Sequence, residues 1–368
     1  MAAPFAGRSF LGTVALVLLA IAILFAVDMF LAGLERKETR IEAAHLFAHG
    51  RDLMQSGKKA EAIEPLQDAL AIDRGNHDYL RALAQAQFEA GKTADAESTV
   101  SDLLQRDSTD GLAALIMGRI LVKEGQFPEA ISYFRRAVYG HWNQDAPANR
   151  LRVRFELVDL LAQRNSKEEL LAELLPVQDQ APRDLPTRTR LGRLFLLAGS
   201  PARAAEVFSG ILHDVPANAD AYAGLGEAEF VRGDYRAAQG DFQTAVQLAP
   251  DNQSARQRLD VCNELLTLDP TVRGLGPLER FQRSLALLDL TLDQTKQCIG
   301  QNPSPQLQQL LDQAGKTLEA HVSAAYQSEE SEANLDLAEQ LWQARRQECT
   351  PPPRADSPLA LVLARLAQ

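Results

Sequence analysis

Gly57, Gly91 and Gly125, like Ala62, Ala96 and Ala130, recur at steps of 34 residues. Gly50, Ala84 and Gly118 keep the same period, which returns in Gly192 and Gly226, Gly199 and Gly233, Ala204 and Ala238, Phe208 and Phe242, and Pro216 and Pro250. A fixed period of this length means that one supersecondary unit is built many times. Each unit is too small to bury its own apolar face and is completed by its neighbour.

The residue types at these positions describe a helical hairpin. Gly50, Ala84, Gly118, Gly192 and Gly226 fall in the first helix of a unit, and Ala62, Ala96, Ala130, Ala204 and Ala238 in the second. Small side chains at both places let two helices approach closely. Gly57, Gly91, Gly125, Gly199 and Gly233 supply the left-handed residue that ends the first helix. In Gly199-Ser200-Pro201 the serine is expected to cap the next helix and the proline to occupy its first turn, and Gly233-Asp234 does likewise. Leu53, Leu66, Leu121, Phe134, Phe195, Phe208 and Phe242 then fill the seams between hairpins. A 46% hydrophobic but only 6% aromatic composition agrees with helix over strand.

The stretch Ala219 to Asn252, ADAYAGLGEAEFVRGDYRAAQGDFQTAVQLAPDN, closely resembles the tetratricopeptide repeat pattern. The resemblance divides residues 43–252 into about six units, near 43–76, 77–110, 111–144, 151–184, 185–218 and 219–252. The unit at 151–184 is degenerate, with Asn165 in place of glycine and Leu170 in place of alanine. It follows an insertion, His141 to Asn149, which holds Trp142 either as a binding aromatic or as a seal between units.

The resemblance implies an all-α hairpin solenoid that binds a protein or peptide along a concave groove formed by the first helices. The positions it implies for ligand contact are Phe47, Arg51 and Met54, then Arg81, Gln85 and Phe88, then Leu115, Arg119 and Val122, and finally Arg190, Arg193 and Leu196. Arginines beside apolar residues suit the carboxylates of a peptide. Equally, they suit salt bridges to local acids. The Lys/Asn pattern by which some members clamp a terminal carboxylate is absent, so no chaperone-type ligand follows.

The flanks are different in kind. After a short tail at 1–8, residues 9–34 are apolar enough to form a transmembrane signal anchor, with Asp28 near its carboxyl end. Arg8 on one side faces Arg36, Lys37 and Arg40 on the other, the latter interleaved with Glu35, Glu38 and Glu42. The layout of a short tail before a long body favours an extracytoplasmic, periplasmic repeat domain, with a cytoplasmic one as the alternative. Residues 253–268 read as a capping helix, with Leu259, Cys262, Leu265 and Leu266 on one face. Residues 269–349 hold three apolar helical stripes, near 278–292, 305–327 and 333–347, which make a small bundle. Residues 350–368 read as a Pro-rich linker and a short terminal helix that docks on the bundle, with a partner-binding tail as the alternative.

Chemistry-bearing motifs are missing. Cys262, Cys298 and Cys349 are far apart and form no CxxC pair, which signals neither a zinc site nor a disulfide framework. His45 and His49 share a helix face without a third ligand, and His49 falls at a core position of the first repeat. There is no nucleophile elbow, phosphate loop or dinucleotide fingerprint. The net charge of -11 opposes nucleic-acid binding. The expectation is therefore a non-enzyme without cofactor or metal: a scaffold or adaptor in a bacterial inner membrane, its source suggested by the Ala/Arg/Leu-rich style. The alternatives are a self-associating structural module and a non-catalytic subunit of an envelope enzyme complex.

Overall fold

The structure, a computed structural model, describes residues 6–300, 303–320, 326–349 and 357–366; within its first helix the side chains of residues 6–17, 20 and 31–36 lie outside the described set. Among the described residues there are seventeen α-helices and no strand, only an isolated bridge between Asp110 and His141. The chain divides into two compact units, Met1–Arg164 and Asn165–Gln368.

The first unit holds α1 (Ala6–Gln55), α2 (Ile63–Ile72), α3 (His77–Glu89), α4 (Thr93–Arg106), α5 (Gly111–Lys123), α6 (Phe127–Tyr139) and α7 (Ala146–Gln163). Each helix packs on the next, as stacked hairpins must. The turns follow from the period. Gly57, Gly91 and Gly125 have φ of +80, +80 and +78°, and Asn165, which opens the second unit, fills the equivalent place at +54°. With the glycine left-handed, the following amide reaches back five residues: Lys92 N donates to the Gln87 carbonyl at 2.9 Å, and Gln126 N to the Leu121 carbonyl at 2.9 Å.

A second periodic device starts the hairpins. Asn76 accepts from the Asp78 and Tyr79 amides and Asp110 from Ala113. Asp184, Asn218 and Asn252 cap α9, α11 and α13 in the same way. Ser200 differs from expectation: it occupies the cap position of α10, but its side chain makes no capping bond.

Small residues of the first helices sit under large residues of the second. A Cβ on Gly50 would lie 2.6 Å from Leu66, one on Gly192 2.5 Å from Phe208, and one on Gly226 3.1 Å from Phe242. Ala62, Ala96, Ala130, Ala204 and Ala238 are all fully buried. His49 is exposed rather than in the core. The buried face of α1 runs through Ala43 and Gly50, and His49 stands one residue, and so about 100°, off that phase.

The second unit continues with α8 (Lys167–Gln180), α9 (Leu185–Leu197), α10 (Pro201–Asp214), α11 (Ala219–Val231), α12 (Tyr235–Leu248) and α13 (Gln253–Leu268). It ends in α14 (Pro277–Cys298), α15 (Pro305–Glu319), α16 (Gln327–Glu348) and α17 (Pro358–Leu366). Tyr235 and Leu265 share one apolar core with Leu288, Leu311, Leu341, Trp342 and Leu363, so α12 and α13 are built into the bundle. The second bundle helix ends earlier than its stripe suggests, at Glu319, and the third starts earlier, at Gln327. The expected linker at 350–356 lies outside the described residues.

Cys298 and Cys349 form a disulfide, with Cα atoms 5.5 Å apart, between the carboxyl ends of α14 and α16. This corrects the reading that the cysteines signal no disulfide. Their separation of 51 residues hides a pairing that becomes visible only when two helices lie side by side. Cys262 is free and buried, and burial pushes its thiol up to about 11. Leu359, Ala360, Val362 and Leu363 of α17 are buried within their own chain, and Arg365 pairs with the buried Asp269.

The apolar stretch at 9–34 lies within α1, which runs without a break into the first repeat. Leu18, Leu24, Phe25, Met29 and Phe30 are all more than half exposed. Among the described residues, no helix is long and apolar enough to cross a membrane.

Candidate functional site: a cleft in the first unit

A cleft of about 540 Å³ opens on the first unit. One wall is made by Phe47, Arg51 and Met54 of α1, and the floor by Arg81, Ala82 and Gln85 of α3. The remaining wall is the insertion after α6, which contributes His141, Trp142, Asn143 and Gln144, with Asn149 and Arg152 from the start of α7.

The insertion is held in place by backbone and side chain together. His141 N donates to the Thr109 carbonyl at 2.7 Å, and Gly111 N to the His141 carbonyl at 2.9 Å. Trp142 lies over Gly111, where a Cβ would come within 2.5 Å of its ring, and its indole N–H donates to the Ala137 carbonyl at 2.9 Å. The tryptophan is therefore a seal that fixes the loop, and it is 9% exposed. Asn143 Nδ2 reaches across to Asp78 Oδ1 at 2.9 Å. Asp145 takes a left-handed φ of +44° to turn the chain into α7.

Charge in the cleft is divided into paired and unpaired groups. Asp110 is 1% exposed; it caps α5 through the Ala113 amide at 2.9 Å and accepts from Arg81 Nε. Arg81 also pairs with Asp78 at 2.8 Å. Burial pulls the Arg81 guanidinium down, but the bonds and charges of Asp110 and Asp78 outweigh it and leave the pKa raised. Arg81 is thus a permanent cation committed to the protein itself. Arg51 lies 5.7 Å from the centre of the Phe47 ring, which in turn packs on Tyr79 at 4.7 Å. Arg51 and Arg152 are exposed, and neither is in a salt bridge among the described residues.

The implied contact residues are thus distributed unequally. Phe47, Arg51, Met54, Arg81 and Gln85 come together in this cleft. Phe88 and Val122 lie outside its lining; both are half-buried, and Lys123 covers the Phe88 ring at 4.2 Å. Leu115 is fully buried in the core and presents nothing to a ligand, because its face of α5 lies against neighbouring helices on both sides. Arg119 is bonded to Glu156 at 2.8 and 2.6 Å. In the second unit Arg190 and Arg193 line a separate concavity of about 510 Å³ with Leu185, Leu194, Leu197 and Asp220. Arg193 approaches Asp220 at 3.6 Å, and Leu196 is half-buried outside that lining. A larger hollow, about 690 Å³, lies along α15 and its carboxyl end, with no opposing wall among the described residues.

Asn143, Asn149 and Arg152 escape a reading by repeat position, whereas Asp110 stands in the periodic series of caps. The single hint is the break in the 34-residue period between Gly125 and Gly199. Among the described residues, no group of His, Cys, Asp and Glu is arranged to hold a metal ion.

Stacked antiparallel hairpins with left-handed glycines and a cleft between first helices define a helical repeat array, and the repeats are of the tetratricopeptide type. Models of that repeat match residues 53–120 and 189–256, one stretch in each unit. Among curated proteins, cellulose synthase operon protein C of Escherichia coli is 27% identical over 241 residues, a match covering 62% of this chain and 20% of that protein. A putative cellulose synthase operon protein C from another Escherichia coli strain is 24% identical over 235 residues, with the same coverages. The chain thus spans 20% of the length of these relatives. Similar solved structures include YrrB, described as a tetratricopeptide protein with an unusual peptide-binding site, at 18% identity and a TM-score of 0.43, covering 52% of this chain and 96% of that one. A repeat protein of Cytophaga hutchinsonii has 17% identity and a TM-score of 0.44, covering 65% and 92%.

Proposed function

We propose that this chain is a non-catalytic scaffold of the bacterial cell envelope, tethered by its amino-terminal helix and holding protein partners through its repeats on the extracytoplasmic side. The observation that carries the reading is the continuity of α1, in which an exposed apolar stretch and the first helix of the cleft are one helix. An exposed apolar face of this size marks contact with lipid or another protein. Placed in a bilayer, it would hold the cleft at a constant height above the membrane surface. From Leu34 to Phe47 the rise is about 20 Å, at about 1.5 Å per residue.

The disulfide supports the choice of side. Such bonds persist in oxidising compartments and are rare where thiols are kept reduced. Maleimide labelling of intact cells checks it: under the proposed topology Cys298 and Cys349 label only after reduction, and ready labelling without reductant would place the body in the cytoplasm. A second reading, a non-catalytic subunit of an envelope enzyme complex, draws on the similarity to cellulose synthase operon protein C. Co-purification of the solubilised full chain with a glycan synthase would favour it over a free-standing adaptor.

A further inference from the structure

We propose that the first-unit cleft takes a short acidic segment of a partner protein, read by Arg51 and Arg152 from its two opposite walls. This rests on the reading of the repeats as a protein-docking scaffold and adds the chemistry of what docks. The chain as a whole is acidic, with a net charge of -11, yet this cleft gathers three arginines against two aspartates. Asp110 and Asp78 both hold Arg81, a cluster of net charge -1, and Asp78 also accepts from Asn143. The lining is left with one positive charge in surplus, and the cations that present it are Arg51 and Arg152, both exposed and without a salt bridge among the described residues.

The two guanidinium groups belong to different elements, so a ligand that pairs with both must lie across the cleft. Gln85 and Asn149 also line the cleft; their amide nitrogens donate to Glu89 at 2.8 Å and to the Gln144 carbonyl at 2.9 Å, which leaves their oxygens to accept from a peptide N–H. Phe47 and Met54 offer apolar contact beside Arg51. The cleft volume suits a short segment rather than a folded domain. The concavity of the second unit does not repeat the arrangement, since its Arg193 has Asp220 beside it.

The test uses the full chain in detergent micelles and two fluorescein-labelled octapeptide pools. One pool has Asp or Glu at alternate positions, and the other has Asn or Gln there. Anisotropy is expected to show the acidic pool binding at least about tenfold tighter, as charge-assisted bonds to two arginines require. The preference should vanish in the double variant Arg51→Gln/Arg152→Gln and shrink with added salt. The variant Arg74→Gln/Lys92→Gln removes equal charge from exposed sites elsewhere on the first unit, and should keep the preference. Equal affinity for the two pools, or a preference that survives the first double variant, overturns the inference. A photo-crosslinking residue replacing Gln85 in native membranes tests the docking reading separately. Crosslinked protein without acidic preference removes the acidic ligand and leaves docking intact, whereas no crosslinked protein removes docking at this cleft.

Discussion

Phe208 is the clearest case of one side chain setting what its neighbours can be. Its ring lies where a Cβ on Gly192 or on Gly224 would come within 2.5 or 2.3 Å. Gly192→Ala should therefore lower stability by about 1–3 kcal/mol through overpacking, with Phe208→Leu in the same chain recovering part of the loss in urea midpoints. Wild-type stability in the Gly192→Ala variant itself would show that the seam is loose. Asn165 is the converse, a non-glycine residue at φ +54° where the other units have glycine. Asn165→Gly should gain a few tenths to about 1 kcal/mol, and Asn165→Val should lose stability.

Asp241 makes a pH prediction at the same scale. Burial first, and then the Glu229 charge, push its carboxyl up to about 6. The fold favours the protonated form, so the penalty is fully present above about pH 6 and is relieved as pH falls toward the ordinary carboxylate range. Asp241→Asn should raise stability at neutral pH by about 1–2 kcal/mol and flatten the pH dependence between about pH 4 and 6. An unchanged profile would show that water reaches the carboxyl.

Among the elements, α14 and α16 form the joint most open to manipulation. Ser284, Thr291, Thr295, Ser331 and Asn334 are buried between apolar residues there, and the Thr291 and Thr295 hydroxyls bond back to carbonyls four residues earlier. The disulfide at the carboxyl ends of these helices closes a chain segment of 51 residues. Cys298→Ser/Cys349→Ser should cost about 2–4 kcal/mol, measured by thermal unfolding without reductant. Under reductant the wild-type chain should fall to the level of the variant, and a gap that persists would point to packing rather than the crosslink. The element α17 is short for a helix to stand alone, and it is held by Leu359, Val362 and Leu363 in the shared core and by Arg365 on Asp269. Leu363→Ala should cost about 2–4 kcal/mol and expose the segment to limited proteolysis.

At the scale of the molecule, the repeated hairpin was legible because it is a local rule applied many times. Gly57 and its equivalents dictate the turn, Asn76 and its equivalents the start, and Gly50 with Leu66 the seam; each acts within one period or its half. Helix type and hairpin order follow from those rules, while the first-helix positions Phe47, Arg51 and Arg81 come from the family resemblance. Three features do not follow, because each joins residues that no period relates. Cys298 meets Cys349 only after α14 and α16 pack together. Arg81 is neutralised by Asp110 across 29 residues, and Leu115 turns inward because neighbouring helices flank α5 on both sides. The cleft owes its second wall to an irregular loop whose path is set by Trp142 settling over Gly111. Sequence alone determined the repeating element, since its forces are short in range; tertiary structure decided which of the arginines remain unpaired in the cleft, since charge pairing depends on what packing brings within reach.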